Sequence, residues 1–435
     1  MKIGIIGLGF VGLSFASVLG SKGYYTVGYD SDVRKLSVIK KGNTPFYEPE
    51  LEETLRVALR KGLRISDELF SIVNECKLIF ITIGTPQRND GSIDLSMVKS
   101  SITTIGTLLR RTNNKPLIII KSTVIPGSTK DILLPILKKK SEKVQGRDFD
   151  IITNPEFLRE SLAITDTMNP HVIVLGGNKN KFMNLIHNFY KKLHKNTPIV
   201  ITNNQTAEII KYTNNSFLAT KISFINQISN ICQLIPGANV EDVAKTIGLD
   251  PRIGPLFLNA GPGYGGSCLP KDVKAIINFS NKIGIKPVLL NAVETVNNYQ
   301  LDHVISTIKK ALGSIKHKNI TILGLAFKPD TDDIRDSVSI KLIAKLLNSD
   351  ANIKVHDPKA IENTRSIFGD RITYTDSLVE ALKNSECAVI LTNWKMYHSL
   401  KNKHVNKMKR RIIVDTRRML KEHNLNITYY PIGIG

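Results

Sequence analysis

A chain of 435 residues, 42% hydrophobic and 23% charged, is too long for one hydrophobic core and predicts two or three domains. Its composition excludes a disordered, collagenous or low-complexity protein, and no apolar run is long enough to span a bilayer. The net charge of +22 is spread over scattered lysines without interleaved aromatic residues, which excludes a nucleic-acid platform and suits an anionic small substrate.

The four cysteines, Cys76, Cys232, Cys268 and Cys387, lie far apart, with neither metal-ligand nor disulfide-scaffold spacing. They predict no metal, reduced thiols and a cytoplasmic protein with no membrane partner. The apolar run from Lys2 to Leu19 has the outline of a secretory signal, but its glycines serve another purpose.

Lys2 to Ile6 reads as a strand, Gly7-Leu-Gly9-Phe-Val-Gly12 as a tight turn, Leu13 to Leu19 as a helix, and Thr26 to Asp30 as a second strand ending in an acid. This is a dinucleotide fingerprint in its proper context. Gly7 makes the turn, Gly9 admits the pyrophosphate, and Gly12 allows close helix packing beneath the helix N-terminus. Asp30 is placed to accept both ribose hydroxyls, which favours NAD over NADP.

Apolar runs at Leu78 to Ile83, Leu117 to Lys121, Asp150 to Thr153 and Val172 to Leu175 predict further strands of an open parallel sheet. Ligands bind beyond the carboxyl ends of such strands. The residues there are Gly84-Thr85-Pro86, Ser122-Thr123-Val124 and Asn154-Pro-Glu156-Phe-Leu-Arg-Glu160. Taken singly, each is an ordinary turn hydroxyl or helix N-terminal carboxylate.

A long helix is predicted from Thr206 to Leu234, with Lys211 and Asn215 on one face and enough apolar surface for a second subunit to cover. A shorter helix, Val240 to Ile247, and Asp250-Pro-Arg252-Ile-Gly254 then lead to Gly261-Pro-Gly-Tyr-Gly-Gly-Ser-Cys268-Leu-Pro-Lys271-Asp272. That stretch shows no helical or strand period, and its glycines would let the backbone come close to a ligand. Helices are predicted again over Lys274 to Ile283 and Val288 to Leu312.

The last third restarts as a second doubly wound unit without a full glycine fingerprint, suited to a mononucleotide. Its strands are predicted at Asn319 to Lys328, Ile353 to Asp357, Ala388 to Leu391 and Ile412 to Asp415, with a helix over Ile340 to Leu347. The expected architecture is therefore α/β: two doubly wound Rossmann-like domains, 1–198 and 301–435, joined by a helical connector, 199–300.

Dinucleotide binding implies hydride transfer, and a placed thiol implies covalent catalysis at a carbonyl. Together they predict an alcohol taken through an aldehyde, a thiohemiacetal and a thioester to an acid. Lys271 or Lys211 would supply a cation for the thiolate. Lys211, Asn215, Asp272 and the glutamates suit an oxyanion stabiliser and a positioned water. The competing readings are a two-electron dehydrogenase with an incidental Cys268, and a non-catalytic nucleotide-binding protein.

These motifs resemble those of the UDP-glucose/GDP-mannose dehydrogenase family over essentially the whole chain. The resemblance rests on Gly7 to Gly12, Gly84-Thr-Pro86, Lys121-Ser-Thr-Val124, Asn154 to Glu160, Glu208 to Asn215, the thiol stretch, and Gly324-Leu-Ala-Phe-Lys328-Pro-Asp-Thr-Asp-Asp-Ile-Arg335. It implies Cys268 as nucleophile, with Lys211 and Asp272 polarising the reacting oxygen and its water. Asn215 would hold that oxygen, and Glu156 and Thr123 would act in proton transfer and water positioning. NAD would be met by Val11, Asp30, Lys35, Thr85, Thr123, Glu160, Lys271 and Arg335 in addition to the glycines. The nucleotide sugar would be lined by Glu156, Phe157, Leu158, Arg159, Glu160, Lys211, Asn215, Phe257, Leu258, Asn259, Ala260, Gly261, Gly265 and Lys328. Arg252 would reach the substrate of the other subunit in a homodimer built on the long helix.

Two departures bear on the sugar. Ser161 stands where many UDP-glucose enzymes carry glycine, and Asn169-Pro-His171-Val172 where they read Pro-Asp-Arg. Leu158-Arg-Glu-Ser161 and Ser267-Cys-Leu-Pro270 are spellings shared with GDP-mannose enzymes, whereas Arg252-Ile-Gly254 and Phe257 to Gly261 follow the UDP-glucose branch. UDP-glucose, oxidised to UDP-glucuronate with two NADH per sugar, is the favoured substrate, and GDP-mannose or another nucleotide sugar the alternative.

Overall fold

The computed structural model describes residues 1–421 and 424–435. They form two compact units, Met1–Asn214 and Asn215–Gly435. The division falls inside the helix Asn204–Cys232. Among the described residues, no helix is long and apolar enough to cross a membrane.

The first unit is built on eight strands: β1 (Ile3–Ile6), β2 (Thr26–Tyr29), β3 (Leu63–Ile65), β4 (Leu78–Ile81), β5 (Leu117–Ile120), β6 (Asp150–Thr153), β7 (Ile173–Gly176) and β8 (Ile199–Thr202). Their order is β3-β2-β1-β4-β5-β6-β7-β8. Every residue of β1, β4, β5, β6 and β7 is buried, because helices cover both faces of the sheet.

The sheet departs from the all-parallel expectation at one place. β7 runs antiparallel to β6, bonded at Thr153 and Gly176. The segment between them holds only the six-residue helix Ala163–Met168, too short to carry the chain back across the sheet for a parallel return. β3 and β8 escaped the sequence reading because they are short edge-region strands that lack a buried apolar run. β8 also carries the first sheet past residue 198.

The second unit holds β9 (Asn319–Leu323), β10 (Asn352–His356), β11 (Thr373–Tyr374), β12 (Cys387–Ile390), β13 (Ile412–Asp415) and β14 (Thr428–Pro431), in the order β11-β10-β9-β12-β13-β14. All their pairings are parallel, as expected of a doubly wound half. Ahead of this sheet come the helices Val240–Gly248, Leu269–Lys282 and Val288–Leu312.

Candidate active site

In the first unit, the turn after β1 enters the helix Phe10–Ser21 through Gly9. Gly7 has φ of +98°, which a side chain would resist. A Cβ on Gly12 would lie 1.8 Å from the Gly7 carbonyl oxygen, so that position can only be glycine. Gly9, in contrast, faces open space, and the first helical turn carries no acid. An open glycine at an unopposed helix N-terminus fits a pyrophosphate.

Asp30 closes the far side of this turn, accepting from the Leu8 N–H at 2.8 Å and from the Lys35 ammonium at 2.8 Å. Burial works against its charge, but Lys35 and the N–H groups of Asp32 and Leu8 hold it below the ordinary aspartate range. The residues present therefore fit NAD. Thr85 and Thr123, from turns after β4 and β5, are tied together by a bond from the Thr85 hydroxyl to the Thr123 carbonyl at 2.8 Å.

Beyond β6, Glu156 and Lys211 form an ion pair of 2.9 Å, with side chains only 8% and 5% exposed. Glu156 also accepts the Leu158 N–H at 2.5 Å, and the Lys211 ammonium lies 5.5 Å from the centre of the Phe157 ring. Burial favours the neutral acid, but the Lys211 charge and hydrogen bond outweigh it and keep Glu156 below the usual glutamate range. Arg159 is exposed and bridged to Asp166 at 2.6 Å. The Glu160–Ser161 turn is clamped by a residue the sequence reading missed: the buried Glu48 carboxylate accepts the N–H groups of Ser161 and Ala163, each at 2.8 Å.

In the second unit, the thiol stretch is not wholly irregular. Cys268 is the N-cap of the helix Leu269–Lys282, with Pro270 in its first turn. The glycines before Cys268 carry no period, so Pro270 in the first turn was the one local signal of a helix start. A sulfur at a helix N-terminus sits where thiolate charge is favoured. Asp272, 1% exposed, receives the Asn215 carboxamide on one oxygen and the Lys271 ammonium on the other, each at 2.6 Å. Lys271 is thus committed to Asp272.

The glycines of this stretch let neighbouring protein groups come close. A Cβ on Gly261 would meet the Arg417 guanidinium at 2.6 Å, one on Gly265 the Asp336 carbonyl oxygen at 2.4 Å, and one on Gly266 the Phe327 ring at 2.6 Å. The segment Phe257–Gly261 is held by the Arg418 guanidinium on the Ala260 carbonyl, the Asn226 carboxamide oxygen on the Gly261 N–H, and Gln300 on the Gly261 carbonyl. Leu258, Asn259 and Ala260 line a cavity of about 310 Å³. Phe257 has φ of +66°, an uncommon strain for a bulky residue.

Comparison with known proteins brings these parts under one heading. The NAD binding, central and UDP binding domains of the UDP-glucose/GDP-mannose dehydrogenase family match residues 1–194, 205–299 and 321–422. The chain is 38% identical over 423 residues to the UDP-glucose 6-dehydrogenase of Haloferax volcanii, covering 97% of each protein.

The chain belongs to the UDP-glucose/GDP-mannose dehydrogenase family.

It is an NAD-dependent oxidoreductase of that family with a UDP-sugar-binding domain. The structure of a UDP-glucose dehydrogenase from Pyrobaculum islandicum superposes with a TM-score of 0.94 at 33% identity, covering 100% of this chain and 98% of that one. A GDP-mannose dehydrogenase from Pseudomonas aeruginosa reaches 0.57 at 29% identity, over 99% of this chain and 100% of that one.

The remaining family-implied residues take three kinds of position. The Lys328 ammonium lies 5.8 Å from the centre of the Phe327 ring. Arg335 pairs with Asp333 at 2.6 Å, and its carbonyl accepts the Gly266 N–H at 2.9 Å. Arg252 pairs with Asp250 at 2.6 Å, its side chain 86% exposed. Arg417, which the sequence reading did not single out, is a half-buried cation against Gly261. Burial first, then Arg418, lowers its proton affinity to about 10. A charge kept in such a place suits an anionic ligand. Its only sequence signal was an Arg-Arg pair following a strand that ends in Asp415.

Proposed function

We propose that this protein oxidises the C6 alcohol of UDP-glucose to the carboxylate of UDP-glucuronate, with Cys268 as covalent nucleophile. The observation that carries the reading is Cys268 at a helix N-cap with the buried Asp272, held by Asn215 and Lys271, one turn further on. The names of the relatives in Haloferax volcanii and Pyrobaculum islandicum support UDP-glucose as substrate.

The alcohol first loses two electrons and becomes an aldehyde, its proton passing toward Glu156 and Thr123. The Cys268 thiolate adds to the carbonyl carbon, forming a C–S bond and a thiohemiacetal. Removal of two further electrons leaves a thioester, whose oxygen Lys211 and Asn215 stabilise. Water positioned by Asp272 attacks the acyl carbon, the C–S bond breaks, and carboxylate and thiolate are released. Bound NAD supplies the electron acceptor for each oxidation, so two NADH form per sugar.

Ser161 does not argue for GDP-mannose. Its φ of +64° shows a left-handed turn position that glycine fills more easily, and a serine there costs local strain without changing the turn. We further infer a homodimer. Phe217, Phe224 and Ile231 recur at seven-residue spacing on the long helix and are 64%, 52% and 50% exposed. Such a stripe is the seam of a helix pair, and Arg252 is the residue proposed to cross it.

NADH released per molecule of UDP-glucose tests the reaction: two supports it, and one excludes the thioester route. A panel of UDP-glucose, GDP-mannose, UDP-N-acetylglucosamine and UDP-galactose tests the sugar. Turnover of GDP-mannose in preference to UDP-glucose would reverse that assignment.

A further inference from the structure

One buried cation beside this chemistry has no task in it. Lys121 closes β5, is 8% exposed, and donates to the Asn154 carboxamide oxygen at 3.3 Å, with its ammonium 5.2 Å from the centre of the Phe15 ring. The same oxygen accepts the Tyr190 hydroxyl at 2.5 Å, and the Asn154 amide donates to the Val174 carbonyl at 2.8 Å. Asn154 is therefore fixed on three sides and fixes Lys121 in turn.

Glu156 follows two residues later, paired with Lys211. Lys121, Glu156 and Lys211 are all buried, and the charges of Glu156 and Lys211 both bear on Lys121. Burial lowers the proton affinity of Lys121 to about 8, with Glu156 acting to raise it and Lys211 to lower it further. The other titratable groups around Lys121 carry no charge near pH 7. Tyr190 is pushed well above the usual phenol range by burial, and His194 falls to about 4 through burial and the charges of Lys22 and Lys121. Neither can neutralise Glu156.

We infer that Lys121 is the standing counter-charge of Glu156, a positioning residue that keeps this carboxylate ionised when Lys211 turns to the reacting oxygen. The inference rests on the reading above, in which Lys211 engages that oxygen and Glu156 takes up a proton. With Lys211 drawn away, burial would drive Glu156 to its neutral acid, which cannot accept a proton. A second cation anchored on a neighbouring strand end, and held there by Asn154, prevents that. One lysine could not serve both partners at once.

The test reads the Glu156 carboxyl directly. Infrared spectra across pH would be recorded on full-length Cys268→Ser protein loaded with NAD and UDP-glucose, and the band assigned by its loss in Glu156→Gln. Lys121→Met should raise the pH of half-protonation by about one unit, a tenfold change in proton affinity. Lys121→Arg, which keeps the charge, should leave it near its original value. An unmoved midpoint in Lys121→Met overturns the inference, and Lys121→Gln provides the same loss of charge should the methionine variant fold poorly. NAD affinity should be retained in both, since a general structural defect would lower it.

The pH profile of kcat in otherwise unmodified enzyme separates this inference from the reading it rests on. Movement of the carboxyl midpoint and of the acid limb together supports both. Movement of the midpoint alone upholds the Lys121 counter-charge and removes Glu156 as proton acceptor.

Discussion

Cys268 differs from the other three thiols in its surroundings. Cys76 and Cys387 are buried, and burial pushes each thiol up to about 12, while Cys232 is buried on the long helix. At pH 8 a thiol with a pKa of 12 is thiolate in about one molecule in ten thousand. Iodoacetamide at pH 8 should therefore label Cys268 first and abolish turnover in proportion, as read by peptide mass spectrometry. Early labelling of Cys76 or Cys387 would contradict the burial described. The Glu156–Lys211 pair makes a second prediction at this scale. Because the folded Glu156 is held below the unfolded value of about 4.3, its contribution to stability is complete above that pH and is lost as pH falls through the folded value. Glu156→Gln leaves Lys211 buried without its carboxylate and should cost about 3–5 kcal/mol in denaturant unfolding. Single residues were legible where a motif named them, as with Gly12 and Asp30. Glu48 was not, because its partner Ser161 is 113 positions away and no local pattern joins them.

At the scale of elements, the glycine-rich stretch before Cys268 packs closely against its own unit. Gly265→Ala would drive a Cβ into a backbone oxygen at 2.4 Å, which a side-chain rotation cannot relieve. It should cost about 1–3 kcal/mol and lower the denaturant midpoint. Ser161→Gly is expected to behave differently. It relieves a left-handed backbone at the cost of chain entropy, so stability should change by less than about 1 kcal/mol. The proposed preference for UDP-glucose over GDP-mannose should be the same in both proteins; a swing of tenfold or more would make Ser161 a specificity residue after all. The strands whose every position is apolar were visible in the sequence, since burial on both faces leaves that signature. The start of the helix Leu269–Lys282 was not, because it follows a run of glycines that carries no period.

At the scale of the molecule, the apolar stripe on the long helix is the surface on which the proposed homodimer rests. Phe224→Glu places a charge in the middle of the proposed seam and should shift the protein to monomer in analytical ultracentrifugation. If Arg252 acts across that seam, the monomer should also lose activity, with a larger loss in kcat/KM than in NAD affinity. A Phe224→Glu protein that stayed dimeric would place the interface elsewhere. The sequence by itself determined the two doubly wound halves and the dinucleotide turn, because apolar runs and glycine spacings are local signals set by backbone sterics and burial, and it marked Cys268 as the nucleophile proposed above. Only the tertiary structure decided which charges meet: Lys211 with Glu156, Lys271 and Asn215 with Asp272, Arg417 against Gly261, and Lys121 on Asn154. Pairings of that kind depend on how residues distant in sequence are brought together by folding, and in a buried setting that proximity, rather than residue type, sets which group holds a proton.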